Sequence, residues 1–216
     1  MLAPYASDDK RAELVRAATR LLHVQGFHRT TLADVAGRAK VPLGNVYYYF
    51  KTKEALAEAV IASHEAALRE RFALWAAAHH DPKLRLRCLV RAPLDAADSV
   101  IQFGCPHGSL CQELEKLGPD APLAKAGTRL LAVYIAWANE QFRALGCTPR
   151  ESRALAADLV AAVQGTIYAL ESSSPYLFFD RVEINSRLST LEAANADANP
   201  VLDVHFDLSG FMRIKP

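Results

Sequence analysis

Apolar residues recur at three- and four-residue intervals along most of the chain, the period of a helix with one buried face. Over residues 8–25, Leu14, Ala17, Ala18, Leu21 and Leu22 share a face behind Asp8 and Asp9, acids that suit a helix N-terminus. Gly26 closes this element, since glycine accepts the left-handed conformation that ends a helix. Thr31 opens a second helix: Thr-x-x-Asp with Asp34 is a capping-box arrangement, and Leu32, Val35, Ala36 and Ala39 form the buried stripe. Lys40-Val41-Pro42 leaves room only for a tight turn. A third short helix runs from Leu43 to Phe50, with Val46 and Phe50 one turn apart. Thr52 then opens a long alanine-rich helix from about Lys53 to His79. Further helices are expected at about 82–103, 107–117, 121–145, 149–172 and 178–195, separated by glycine- and proline-containing breaks. Only Val201 to Leu208 alternates loosely like a strand, and the tail from Asn199 to Pro216 has no evident partner strand.

Three helices in so short a span, the second and third joined by a tight turn, form a helix-turn-helix layout. With Val46 and Phe50 turned inward, Leu43, Gly44, Asn45, Tyr47 and Tyr49 are left around the other faces of the third helix. Three consecutive tyrosines, Tyr47, Tyr48 and Tyr49, crowd this helix. A tyrosine ring can meet a sugar or a thymine methyl, and its hydroxyl can bond a phosphate oxygen. Lys51 and Lys53 follow, cations able to displace phosphate counterions.

Charge changes the picture only when it is divided. The 216 residues carry a net charge of +1, which argues against a polyanion partner. Residues 1–56, however, hold nine basic and five acidic side chains, a net +4, and the rest hold 16 and 19, a net −3. The positive part coincides with the helix-turn-helix, so the near-neutral total hides a basic module.

The run from Thr31 to Ala36 (TLADVA), followed by Val41 to Leu56 (VPLGNVYYYFKTKEAL), resembles the DNA-binding signature of the TetR family of bacterial transcriptional regulators. The resemblance implies an all-α chain. Residues 1–56 would be a three-helix helix-turn-helix DNA-binding domain, and 57–216 a helical ligand-binding and dimerisation domain, linked by the helix at 53–79. It implies that Thr31 caps the second helix and touches a phosphate. Leu43, Gly44, Asn45 and Tyr47 would lie at the major-groove edge, with Tyr48, Tyr49 and Lys53 on the DNA backbone. It further implies a homodimer on double-stranded DNA, with a near-palindromic operator, and a small-molecule effector that releases it. Two positions depart from the family pattern: Lys40 stands where glycine is usual, and Pro42 where a small side-chain capper is usual. Each costs about 1 kcal/mol, by left-handed strain and by a missing cap respectively, too little to unfold the motif.

In the body, the expected helices at 121–145 and 149–172 are apolar on wide faces, broad enough for an internal core and a second surface. The helix at 149–172 is the dimerisation candidate. Phe103, Cys105, His107, Tyr134, Trp137 and Tyr168 are the candidate ligand contacts, aromatic or polarisable groups with a few polar handles. Cys105 precedes an expected helix start, where backbone N–H groups favour thiolate, so electrophile or redox sensing at Cys105 is an alternative. Against it, Cys105 and Cys111 can simply pack as small hydrophobes. The Cys105-x-His107-x3-Cys111 spacing is not a common zinc pattern and would need a fourth ligand such as His79 or His80, so no metal and no cofactor is expected. Neither a glycine-rich phosphate loop, a nucleophile elbow nor His-Glu-x-x-His is present, and an enzyme is not expected. A mean hydropathy of +0.02, the lack of a long apolar run and the plain N-terminus point to a cytoplasmic protein with reduced cysteines and no membrane partner.

Overall fold

A computed structural model describes residues 5–171 of the chain. The described residues form nine helices and no strand: α1 (Tyr5–Gln25), α2 (Leu32–Ala39), α3 (Leu43–Tyr49), α4 (Lys53–Ala78), α5 (Pro82–Asp95), α6 (Ala97–Phe103), α7 (Gly108–Glu115), α8 (Pro122–Ala144) and α9 (Pro149–Glu171). The helix expected at 178–195 and the alternating tail at 199–216 lie outside the described residues.

The helix starts follow from local side-chain chemistry. Asp34 N–H donates to Thr31 Oγ1 at 3.1 Å while Thr31 N–H donates to the Asp34 carboxylate at 2.8 Å, a closed capping box for α2. The Thr31 hydroxyl, donating to the same carboxylate at 2.7 Å, and then the Thr31 N–H hold the Asp34 carboxyl below its ordinary range. Thr52 caps α4 through Ala55 N–H, Asp81 caps α5 through Lys83 N–H with Pro82 in the first turn, and Thr148 and Glu151 form a second capping box before α9. Lys40 ends α2 at φ 54°, the left-handed angle its position demands despite its side chain. Pro42 precedes α3 without a side-chain cap, as its chemistry requires.

The expected helix at 82–103 is two helices. Pro93 sits inside α5, where it lacks an N–H and crowds the carbonyl four residues back, and the chain breaks at Ala96 before α6 begins. The apolar period runs through the break, so periodicity alone could not reveal it.

A continuous apolar core joins the two halves. In the N-terminal part Leu14, Ala18, Val35, Val46, Phe50 and Leu56 are buried together. α4 carries the core onward through Val60, Leu68 and Phe72 to Leu110, Leu114, Leu130, Phe142 and Leu159 in the body. One helix therefore closes the helix-turn-helix at its start and supports the body along its remainder. A smaller cluster, Val100, Cys105 and Ile167, fixes α6 on α9. Among the described residues no helix is long and apolar enough to cross a membrane.

Candidate functional site

Apart from Tyr49, the third helix leaves outside the residues its sequence placed there. Val46 and Phe50 are buried, so Leu43, Gly44, Asn45, Tyr47 and Tyr48 face outward. Tyr47 is 47% and Tyr48 73% exposed, an arrangement that costs apolar hydration without serving the core. Nothing lies within 4 Å of where a Cβ on Gly44 would stand, so its backbone is open to close approach. Tyr49 differs: it is half-buried, packs against the core and stacks edge-on with Tyr48 at 4.9 Å. Thr31 is exposed at the α2 N-terminus with its hydroxyl in the capping box.

Lys53 has a different placement from that expected of a phosphate ligand. Its ammonium donates to the carbonyls of Phe27 at 3.0 Å and His28 at 3.4 Å, and sits 4.3 Å from the centre of the Phe27 ring. This cation ties the start of α4 to the α1–α2 turn. It thereby braces the helix-turn-helix.

In the body, a cavity of about 390 Å³ opens between α1, α4, α5, α6, the segment joining α6 to α7, α8 and α9. Cys105, His107 and Tyr134 line it, whereas Phe103, Trp137 and Tyr168 do not. Phe103 instead meets His23 edge-on at 5.7 Å. Trp137 is buried and stacked flat on Phe72 at 4.4 Å, an aromatic pairing across α4 and α8 that turns it into core. Tyr168 is 68% exposed on the outer face of α9. The sequence reading missed the contribution of α4: His64, Ala67, Leu68, Arg71 and Trp75 share one stripe along the cavity wall. Their three-and-four spacing was legible, but in an alanine-rich helix it did not single out polar members.

The polar heart of the cavity is a hydrogen-bonded chain. His107 Nδ1 pairs with the Tyr134 hydroxyl at 2.7 Å, and His107 Nε2 pairs with His64 Nδ1 at 3.1 Å. Burial, then the charges of His64, Arg71 and His23, pushes His107 down to about 3. Burial, then His23, pushes His64 down to about 4. Burial raises the Tyr134 hydroxyl above its ordinary range. All three are neutral at pH 7, so the chain can carry a donor in either direction without fixed charge.

Cys105 is buried in the cavity wall. Gly108 N–H points at its sulfur at 3.3 Å and Gln164 Nε2 at 3.9 Å. Cys111 is buried too, bonds the Gly127 carbonyl, and is pushed by burial up to about 12. All four cysteines are free thiols, and among the described residues no three His, Cys, Asp or Glu side chains converge as a metal site would require.

The body touches the helix-turn-helix in two places. His23, near the end of α1, reaches the Gly104 carbonyl with Nε2 at 2.9 Å. The Glu113 carboxylate on α7 accepts the N–H of His28 at 3.1 Å and lies against Gly26, where a Cβ would stand 2.3 Å from it. Gly26 has φ +84°, so turn geometry and this close approach both call for glycine.

The chain is similar to known proteins in sequence and in fold. Residues 14–60, from α1 through the start of α4, match the family model for bacterial regulatory proteins of the tetR family. A second model, Type II secretion system (T2SS) protein M subtype b, matches residues 156–212, which overlap the described residues only in α9. The HTH-type transcriptional regulator BetI of Burkholderia ambifaria is 40% identical over 93 residues, 40% of this chain and 45% of that protein. The chain thus matches about half the length of such relatives. The HTH-type transcriptional regulator LmrA of Bacillus subtilis is 28% identical over 182 residues, 78% of this chain and 92% of that one. The crystal structure of a TetR transcriptional regulator from Legionella pneumophila shares the fold with a TM-score of 0.70 at 16% identity, over 84% of this chain and 95% of that chain.

Proposed function

The chain belongs to the TetR family of bacterial transcriptional regulators, and on that premise we propose that it is a repressor that binds a near-palindromic operator as a homodimer and lets go when a small molecule fills the cavity. The observation that carries this reading is the double duty of α4. Its first turn caps the helix-turn-helix, and its His64–Trp75 stripe forms a wall of the cavity. A ligand that reshapes the cavity therefore acts on the helix that carries α3.

Leu43, Gly44, Asn45 and Tyr47 are the groove-facing residues, and Thr31 and Tyr48 meet the backbone; Tyr49 and Lys53 hold α3 and α4 in place behind them. With Asn45 the clearest polar side chain able to read a base edge, sequence preference leans on methyl contacts and DNA shape. Two bonds from α1 and the α1–α2 turn to the body, His23 to Gly104 beside the cavity residue Cys105 and His28 to Glu113 on α7, supply a second route for the effect. An effector shifts the equilibrium only by its preference for the arrangement that does not bind DNA.

The dimer surface in this reading is the outer face of α9. Ala154, Ala157, Ala161, Gly165 and Tyr168 recur there at helical spacing and are exposed, beside Ala132, Ile135 and Ala136 of α8. Small residues let a two-fold mate approach closely across such a face. Selection of duplexes from a random-sequence pool by the purified protein tests the reading. An inverted repeat with half-site centres about 34 Å or a multiple apart is expected. Enrichment of a sequence without two-fold symmetry, or of none, would overturn it.

Cys105 supports a second reading, an electrophile-sensing repressor, because its sulfur lines the cavity and faces two N–H donors. Release of the selected duplex by N-ethylmaleimide from wild type but not from Cys105→Ser is its expected signature. Equal release from both discards it.

A further inference from the structure

The charge lining the cavity has one sign. Arg71 is the only residue there with a fixed charge, and no Asp or Glu lines it among the described residues. The ionic influences on His107 come from His64, Arg71 and His23, all cationic in sign, with no carboxylate to offset them. Arg71 has no ion-pair partner among the described residues, and as an exposed residue that also lines the cavity it stands at the mouth. Behind it the walls are apolar, with Leu68, Val100, Val163 and Ile167.

We propose that the cavity takes a compact apolar monocarboxylate, its tail against those aliphatic walls and its carboxylate on Arg71 and on the donor end of the Tyr134–His107–His64 chain. This rests on the reading of the cavity as the effector site. The volume of about 390 Å³ falls at the small end of the range of about 300–1,000 Å³ usual for small-molecule sites, which sets the compactness. A carboxylate is an acceptor only, and Arg71 offers a planar fork of donors that fits it. The histidine chain adds to this whichever way its protons lie. If Tyr134 donates to His107, then His107 donates to His64, which keeps its Nε2–H free. In the reverse order, Tyr134 keeps its O–H free. One end always presents a donor to an acceptor ligand, and because both imidazoles are neutral at pH 7 the fixed countercharge is Arg71 alone. His64 and Arg71 both stand on α4, while His107 and Tyr134 stand at the start of α7 and on α8. The bound head group would therefore clamp the lever helix to the body.

Calorimetric titration of the full chain with octanoate, octanamide and octylamine tests this, since the three share a tail and differ in head-group charge. Octanoate should bind at least tenfold tighter than octanamide, with octylamine weakest. Arg71→Gln should weaken octanoate at least tenfold and change octanamide less than threefold. Equal or tighter binding of octanamide, an unchanged octanoate affinity in Arg71→Gln, or no binding of any of the three overturns the carboxylate assignment. The cavity reading is tested separately by Val163→Phe and Ala67→Phe, each checked for wild-type helicity, which place a ring in the space. Loss of binding in these variants keeps the cavity as the site, even if the head-group order fails. Undiminished octanoate binding in both places the ligand elsewhere and overturns the cavity reading with the proposal.

Discussion

Replacing His107 with phenylalanine should flatten the acid sensitivity of folding stability. His107 is buried and held at about 3 by burial and by the neighbouring positive groups on α1 and α4, whereas in the unfolded chain an imidazole titrates near 6.5. As pH falls through about 6.5, the unfolded state takes up the proton and the folded state does not. Stability is therefore full above that value and is lost progressively toward the folded pKa of about 3. Between pH 7.5 and 5 one such imidazole costs about 2 kcal/mol of stability. His64, held at about 4, adds a similar loss in wild type. The groups facing the pair are Arg71 on α4, His23 on α1, Tyr134 on α8, and Cys105 and Cys111 at and in α7. None supplies a negative charge near pH 5 to rescue the imidazolium. The substitution also leaves the Tyr134 hydroxyl and His64 Nδ1 without their partner, so the variant should be less stable at pH 7.5 by about 1–3 kcal/mol. The informative quantity is the difference in slope, because exposed carboxylates are common to both proteins and cancel. Urea unfolding followed by circular dichroism at fixed protein concentration, from pH 5 to 7.5, measures it. Wild type should lose about 2 kcal/mol more than His107→Phe over that interval. Parallel pH profiles would refute the neutral buried relay.

Lys53→Ala should destabilise the fold by about 1–2 kcal/mol, since an ammonium bonded to two carbonyls and seated on an aromatic ring is removed. Thermal unfolding reads the loss, and an unchanged midpoint with weakened DNA binding would return Lys53 to a direct phosphate role. Glu113→Ala frees the His28 amide, and hydrogen exchange there should quicken about fivefold, equivalent to about 1 kcal/mol; an unchanged rate would mean that α7 does not restrain the α1–α2 turn. Ala161→Glu places a charge twice across a two-fold α9 interface and should give a monomer in sedimentation analysis with helicity intact. A dimer that survives it would move the interface off this face.

What was legible in the chain was mostly local. The Thr31–Asp34 box, the turn at Gly26 and the left-handed end at Lys40 each depend on neighbours within a few residues, and the structure shows all three. The outward tyrosines followed from the one-turn spacing of Val46 and Phe50. What escaped were relations between distant segments. Glu113 meets Gly26 and His28 across the fold, and no pattern around either end announces it. Trp137 looked like a ligand contact because tryptophan suits pockets, yet Phe72, far back on α4, supplies its stacking partner. His64 and Arg71 stand on an alanine-rich helix with no pattern around them that marks a site. They became part of the cavity once α8 and the segment before α7 packed opposite them. Lys53 fits a phosphate contact by sequence position, and only the folded α1–α2 turn brings two carbonyls to its ammonium.

The central claim is that the exposed face of α3 reads DNA, and fluorescence anisotropy of the selected inverted repeat at one fixed salt concentration tests it most directly. Tyr47→Ala should lose at least about tenfold in affinity, about 1.4 kcal/mol, while helicity and dimer mass stay those of wild type. Tyr47→Ala binding the duplex as tightly as wild type would contradict the account.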